Sequence, residues 1–212
     1  GGFETTYQYN SMGQPTQSIT PDGDTTRMWY DDLGRLAVSQ NARQRDFTSN
    51  LLVEDPYGPG HGLYAHNYME YDHLGRMVEA GELIHPQQMV YATAKDPVAL
   101  AAWKNQASAS GAEVVKNRVV KTYYPDPPTA TIVSEFEGNS AGDLRNRIAY
   151  ITVNEGYHYQ DGSSLPSPDY GYYYAYDIHG NVAEALQQTK ALAADGREFF
   201  HSEYAYDLLS GL

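Results

Sequence analysis

The feature that most constrains this chain is a short signature met five times: YQYNSMGQ at 7–14, MWYDDLGR at 28–35, MEYDHLGR at 69–76, YAYDIHGN at 174–181 and YAYDLLSG at 204–211. A catalytic group is needed once, so repetition points to scaffold. In every copy the signature tyrosine (Tyr9, Tyr30, Tyr71, Tyr176 or Tyr206) follows another bulky residue two positions earlier: Tyr7, Met28, Met69, Tyr174 or Tyr204. Residues i and i+2 share one face of a strand, so each pair makes a short stripe suited to packing inward. Next comes Asn10, Asp31, Asp72, Asp177 or Asp207, a residue type that opens a type I turn by accepting a backbone N–H on its side chain. Gly13, Gly34, Gly75 and Gly180 stand three residues further on, where a positive φ closes the turn into a hairpin with a bulge. Alternation then resumes with Leu36 and Val38, and with Val182 and Leu186, while Arg35, Arg76 and Asn181 keep hydrated heads beside the turn. Arg35 stands within reach of Asp31, an ion pair of small value if exposed.

Tyr9 and Tyr30 are 21 residues apart, room for two strands and two turns, with PDG at 21–23 supplying the second turn. Tyr30 to Tyr71 is 41 residues, close to two such units, and Tyr71 to Tyr176 is 105, five of them, although the sequence between is irregular. The last interval, 30, breaks the period. Self-similarity on this scale indicates an array in which each unit buries its apolar face only against neighbours.

Composition fits a wall better than a reaction centre or a nucleic-acid binder. Twenty tyrosines against five phenylalanines and two tryptophans suit half-buried pleated surfaces on which a ring packs and a hydroxyl reaches a partner. The net charge of −13 repels phosphate backbones and anionic membranes, and the bases are scattered, with one loose group at Lys116, Arg118, Lys121, Arg145 and Arg147. Without cysteine there is neither a disulfide framework nor a thiolate zinc site. No apolar run approaches the roughly 20 residues that span a bilayer. The start, GGFETTYQYN, carries no initiating Met or signal core, and the end, YDLLSGL, opens another repeat, so the expectation is an internal fragment of a longer protein.

The signature in YDDLGRL, YDHLGRM and YDIHGNV, with its spacing of about 21, resembles the tyrosine–aspartate (YD) repeats of bacterial rearrangement-hotspot (RHS) proteins, relatives of toxin-complex shells and teneurins. LRNRIAYITVNEG followed by YYYAYDIHGNV is similar to stretches near the RHS core. The resemblance implies a β-sheet ribbon that spirals into a hollow shell around a C-terminal toxin or other cargo. The family's autoproteolytic segment uses DPxG motifs. Asp55-Pro56-Tyr57-Gly58 fits superficially but lies too far upstream and lacks the surrounding pattern, so no cleavage is assigned to it.

The segment 85–111 departs from the repeat. Asp96 as N-cap, Pro97 in the first turn, the apolar set Val98, Leu100, Ala101, Ala102 and Trp103, and Gly111 beyond the end predict a helix over about 97–107. A packed connecting helix is the ordinary role; plugging one face of the sheet or touching a partner are the others. YYPDPPTAT at 123–131 and SSLPSPDYG at 163–171 read as surface turns. His61, His66 and His73, with Asp72 nearby, lack the tight paired spacing of a metal site. His179 lies within a YDxxG turn, and Gly58-Pro59-Gly60 followed by Gly62 lacks the Lys-Ser/Thr of a phosphate loop. Asp31, Asp72 and Asp177 occupy equivalent turns, whereas a glycosidase needs two carboxyl groups in different environments on one cleft.

The expectation is therefore an all-β, non-enzymatic chain of antiparallel YD-repeat hairpins, part of a spiralling sheet shell with one short helical insertion. YD repeats fill 1–84, a partly helical insertion 85–111, and a YD-repeat or RHS-core-like β segment 112–212. The protein is secreted or at the bacterial surface and uses no cofactor or metal. Its partners are the rest of its own chain, an enclosed toxin or cargo, and export machinery, with no nucleic acid. The alternative is a cell-surface carbohydrate-binding or adhesion module whose platform is Tyr170, Tyr172, Tyr173 and Tyr174. The direction in which the tyrosine rings point separates the two.

Overall fold

In the computed structural model, residues 4–21, 24–45, 63–105, 114–124, 128–136, 146–159 and 167–206 are described, side chains at 157–159 excepted. Eleven strands form one open sheet in sequence order: β1 (Thr6–Tyr9), β2 (Pro15–Ile19), β3 (Thr25–Tyr30), β4 (Leu36–Gln40), β5 (Tyr64–Tyr71), β6 (Met77–His85), β7 (Val115–Tyr123), β8 (Tyr150–Tyr159), β9 (Tyr170–Tyr176), β10 (Val182–Thr189) and β11 (Phe199–Glu203). Neighbours pair antiparallel, as between β3 and β4 or β9 and β10. The all-β expectation holds. Such an order follows from the sequence, because each short turn returns the chain beside the strand it has just left.

The helices are short: α1 (Ala42–Arg45), α2 (Tyr91–Lys95), α3 (Pro97–Lys104) and α4 (Ala130–Val133), with a 3-10 turn at Lys190–Asp195. None is long and apolar enough to cross a membrane. α3 starts where its cap predicts: the Asp96 side chain accepts from the N–H groups of Val98 and Ala99 at 2.9 and 3.0 Å, and Pro97 occupies the first turn. Gly111, the expected stop, lies outside the described residues.

The chain divides into two compact units. The first comprises 1–76, 80–118 and 156–164; the second comprises 77–79, 119–155 and 165–212. In the first, Leu100 and Trp103 of α3 and Ala94 of α2 bury onto the sheet face made by Val38, Tyr68 and Leu83, with Trp29 beside them. The insertion thus covers one face of its unit, leaving Val98 78% exposed on its outer side. Leu63, Ala65, Ile84 and Val115 form a separate cluster in the same unit. In the second, Tyr173 and Leu186 pack with Ile132 of α4, flanked by Phe136, Tyr150 and Phe199. Tyr123, Tyr150 and Tyr173 stack across β7, β8 and β9, with ring centroids 4.1 and 5.5 Å apart.

The inward packing expected of the signature pairs fails at the first and last copies. Tyr7 and Tyr9 are 53% and 60% exposed, and Tyr204 and Tyr206 are 51% and 40% exposed. β1 pairs with β2 alone, so its rings find cross-strand neighbours on one side only.

Candidate functional site: a ladder of aspartate–glycine turns

Four connections share one atomic plan. Between β1 and β2, β3 and β4, β5 and β6, and β9 and β10, the N–H of the opening residue donates to the carbonyl four residues on: Asn10 to Gln14, Asp31 to Arg35, Asp72 to Arg76 and Asp177 to Asn181, at 2.9 Å each. The glycine N–H returns to the opening residue's carbonyl at 3.0–3.1 Å. Gly13, Gly34, Gly75 and Gly180 have φ of 75°, 79°, 79° and 92°, the left-handed region that glycine enters without a Cβ clash. Side-chain oxygens complete the turn: Asp72 Oδ1 accepts from the N–H groups of Leu74 and Arg76, Asp177 Oδ1 from His179 and Asn181, and Asn10 Oδ1 from Met12 and Gln14. Beside three of these turns the ladder register slips, at Gln8/Tyr9, Trp29/Tyr30 and Val182/Glu184, which is the expected bulge.

The residue after each glycine closes back on the opening residue. Arg35 Nε meets Asp31 Oδ2 at 2.7 Å, Arg76 Nε meets Asp72 Oδ2 at 2.7 Å and Asn181 Nδ2 meets Asp177 Oδ2 at 3.0 Å. For Asp72, desolvation opposes ionisation, but the Arg76 N–H, the Arg76 side chain and the Leu74 N–H outweigh it and hold the carboxyl below its usual range. Asp177 is likewise lowered, desolvation being outweighed by bonds from Asn181, Gly180 and His179. These carboxylates already serve as acceptors for turn N–H groups.

Successive hairpins are tied by tyrosine. Tyr30 Oη donates to the Pro15 carbonyl at 2.8 Å, Tyr71 to Leu36 at 2.8 Å, Tyr176 to Ile148 at 2.8 Å and Tyr206 to Val182 at 3.0 Å. Pro15, Leu36 and Val182 each stand two residues past the preceding signature glycine. The rule extends to a tyrosine outside the five signatures: Tyr124 Oη donates to Met77, two past Gly75, at 3.3 Å. Burial raises the Tyr30, Tyr71 and Tyr176 hydroxyl pKa values, keeping these donors protonated. Tyr9 makes no such bond among the described residues, and Asp207 lies outside them.

Ile148 fits the same rule only if Asn146 stands for a glycine, and it does: Asn146 has φ 65°. Asparagine is among the few L residues that enter this region readily. Arg147 lies 5.4 Å from the Tyr176 ring centroid, as Arg35 lies 4.6 Å from that of Tyr71. The connection from β7 to β8 is therefore a YD turn that has been split, with Tyr124 on one side and Asn146-Arg147-Ile148 on the other. The signal in the sequence is Asp143-Leu144-Arg145-Asn146-Arg147, a match to Asp31-Asp32-Leu33-Gly34-Arg35 with Asn for Gly.

A cavity of about 240 Å³ lies in the first unit between this ladder and α3, lined by Asp31, Arg35, Glu70, Tyr71, Leu100 and Lys104 among others. Two of its acids are paired: Lys104 reaches Glu70 at 3.7 Å, and the Met69 carbonyl at 3.0 Å, while Arg35 holds Asp31 at 2.7 Å. His66 is buried, with its ring edge-on to Trp103 at 5.1 Å, while His73 is exposed at a turn; His61 lies outside the described residues, as do Asp55-Pro56-Tyr57-Gly58 and Gly58-Pro59-Gly60. Among the residues proposed as a carbohydrate platform, Tyr173 is only 4% exposed. It sits on the opposite face of β9 from Tyr170, Tyr172 and Tyr174, because the side chains of a strand alternate.

No protein-family model matches the chain, and no curated protein sequence matches it. Among solved structures, a Tc holotoxin pore of Photorhabdus luminescens superposes with a TM-score of 0.50 at 12% identity, over 97% of this chain and 7% of that chain. The fold is shared with a Tc toxin chain. The crystal structure of TcdB2–TccC3–Cdc42 is similar at 11% identity with a TM-score of 0.43, over 97% of this chain and 8% of that one. This chain thus spans less than a tenth of either of these two chains.

Proposed function

We propose that this chain is a wall segment of a secreted or surface RHS-type shell that encloses or presents a toxin or other cargo. The observation that carries the reading is the tyrosine ladder, in which a hydroxyl of one hairpin satisfies a carbonyl of the hairpin before it, as with Tyr71 and Leu36. A device of this kind can be extended indefinitely by adding hairpins, which is what a wall needs and a catalytic cleft does not. The likeness in fold to a Tc toxin chain supports the same role. The wall is non-enzymatic, since its repeated acids work as turn acceptors, and its partners are neighbouring repeats, the cargo and the export apparatus.

The test is protection. A reporter enzyme is fused downstream of the natural polypeptide that contains this segment, and the product is exposed to protease. The reporter should survive, and should become cleavable when Tyr71→Ala and Tyr176→Ala loosen the wall. Digestion at the rate of free reporter with the wall intact would refute enclosure.

A further inference from the structure

Tyrosines in this chain fall into two classes. Those of the scaffold have bonded hydroxyls: besides the ladder, Tyr173 Oη donates to Gln188 Oε1 at 2.7 Å. Tyr170, Tyr172 and Tyr174, on the other face of β9, have hydroxyls with no hydrogen-bond partner among the described residues, and Gln187 beside them has a free side-chain amide on the same terms. Strand pairing extends their face sideways. Tyr172 stands opposite Gln187, and Gln187 opposite Phe200, which is 68% exposed. Tyr204, 51% exposed, adds a further ring. Burial first, then the neighbouring Tyr172 and Tyr204, raise the Tyr174 pKa.

Two properties of this face restrict its ligand. The residues that the β8–β11 register places on it are all uncharged, in a chain of net charge −13. The rings of Tyr170, Tyr172 and Tyr174 recur about 7 Å apart along the strand, their hydroxyls without hydrogen-bond partners among the described residues. An extended polypeptide could satisfy these hydroxyls with its carbonyls, as the ladder does, but it brings no regular row of flat C–H faces to the rings. A pyranose polymer instead offers flat C–H faces to stack on rings and a rim of hydroxyls to exchange bonds with their tips. We propose that the face carrying Tyr170, Tyr172, Tyr174, Gln187, Phe200 and Tyr204 binds a neutral polysaccharide running along β9. This site goes beyond the wall role and does not depend on it.

Affinity electrophoresis of the 212-residue chain through gels containing dextran, galactomannan, xyloglucan or heparin tests the assignment. At least one neutral polymer should retard the protein and heparin should not. Tyr172→Ala should weaken that retardation at least fivefold, and Tyr174→Phe, which keeps the ring, should weaken it less than Tyr174→Ala. Phe200→Ala, at an exposed position, should weaken it without change in circular dichroism, so loss of fold in the tyrosine variants leaves the test intact. Three results would overturn the proposal: no retardation by any neutral polymer, retardation indifferent to these substitutions, or preference for heparin. Self-association in sedimentation that Phe200→Ala abolishes would also overturn it, assigning the face to a second copy.

Discussion

Gly75 and Gly180 share a backbone conformation but not a neighbourhood. Both lie at positive φ, yet a Cβ at Gly75 would meet nothing within 4 Å, whereas at Gly180 it would collide with the Arg147 guanidinium. Gly75→Ala should therefore cost about 1–2 kcal/mol, the left-handed penalty alone, and Gly180→Ala should cost more in urea denaturation. Gly75→Asn should cost less than Gly75→Ala, because Asn146 already holds that conformation. Equal losses for the two alanine variants would show that Arg147 swings away freely. At this scale the sequence was most legible, since aspartate and glycine announce the turn chemically. Tyr124 and Asn146-Arg147 were hidden because the split turn sets Pro125 after its tyrosine and asparagine in place of glycine, with a long stretch of chain between. Tyr173 was misassigned to the platform because four nearby aromatics looked like one surface, although alternation alone divides them between two.

At the scale of elements, the helical insertion is the clearest case of packing deciding the outcome. Its cap and apolar positions were readable, but its target was not, since Trp103 finds His85 at 4.4 Å in a parallel stack and His66 edge-on, both contributed by distant strands. Trp103→Ala should destabilise the fold by about 3–5 kcal/mol through transfer and cavity costs. Asp96→Ala, which removes only the cap, should cost about 1 kcal/mol. Calorimetry that ranks the two the other way would show the helix held by its end rather than by its face.

For the whole molecule, acid is the revealing variable. Burial lowers the His66 pKa from 6.5 to about 3, His85 pushes in the same direction, and a backbone hydrogen bond at Tyr64 opposes them. The folded value lies below the unfolded one, so the stabilisation is complete above 6.5 and is lost as pH falls through that window towards 3. Denaturation midpoints should decline over this range with a limiting slope of about 1.4 kcal/mol per pH unit from this residue. His66→Gln should flatten the profile, and an unchanged profile would mean that the imidazole reaches water. The lowered carboxyls of Asp72 and Asp177 act with the same sign at lower pH, their contribution fading as they take up protons. The split turn carries a different implication. Among the described residues, Tyr124 and the Ile148 carbonyl, with Arg147 beside the Tyr176 ring, tie it to its neighbours. Sequence spliced between these flanks would leave the ties at Tyr124 and Ile148 in place, so a split turn is a grafting point at which lineages, or engineers, can mount new cargo without recasting the sheet.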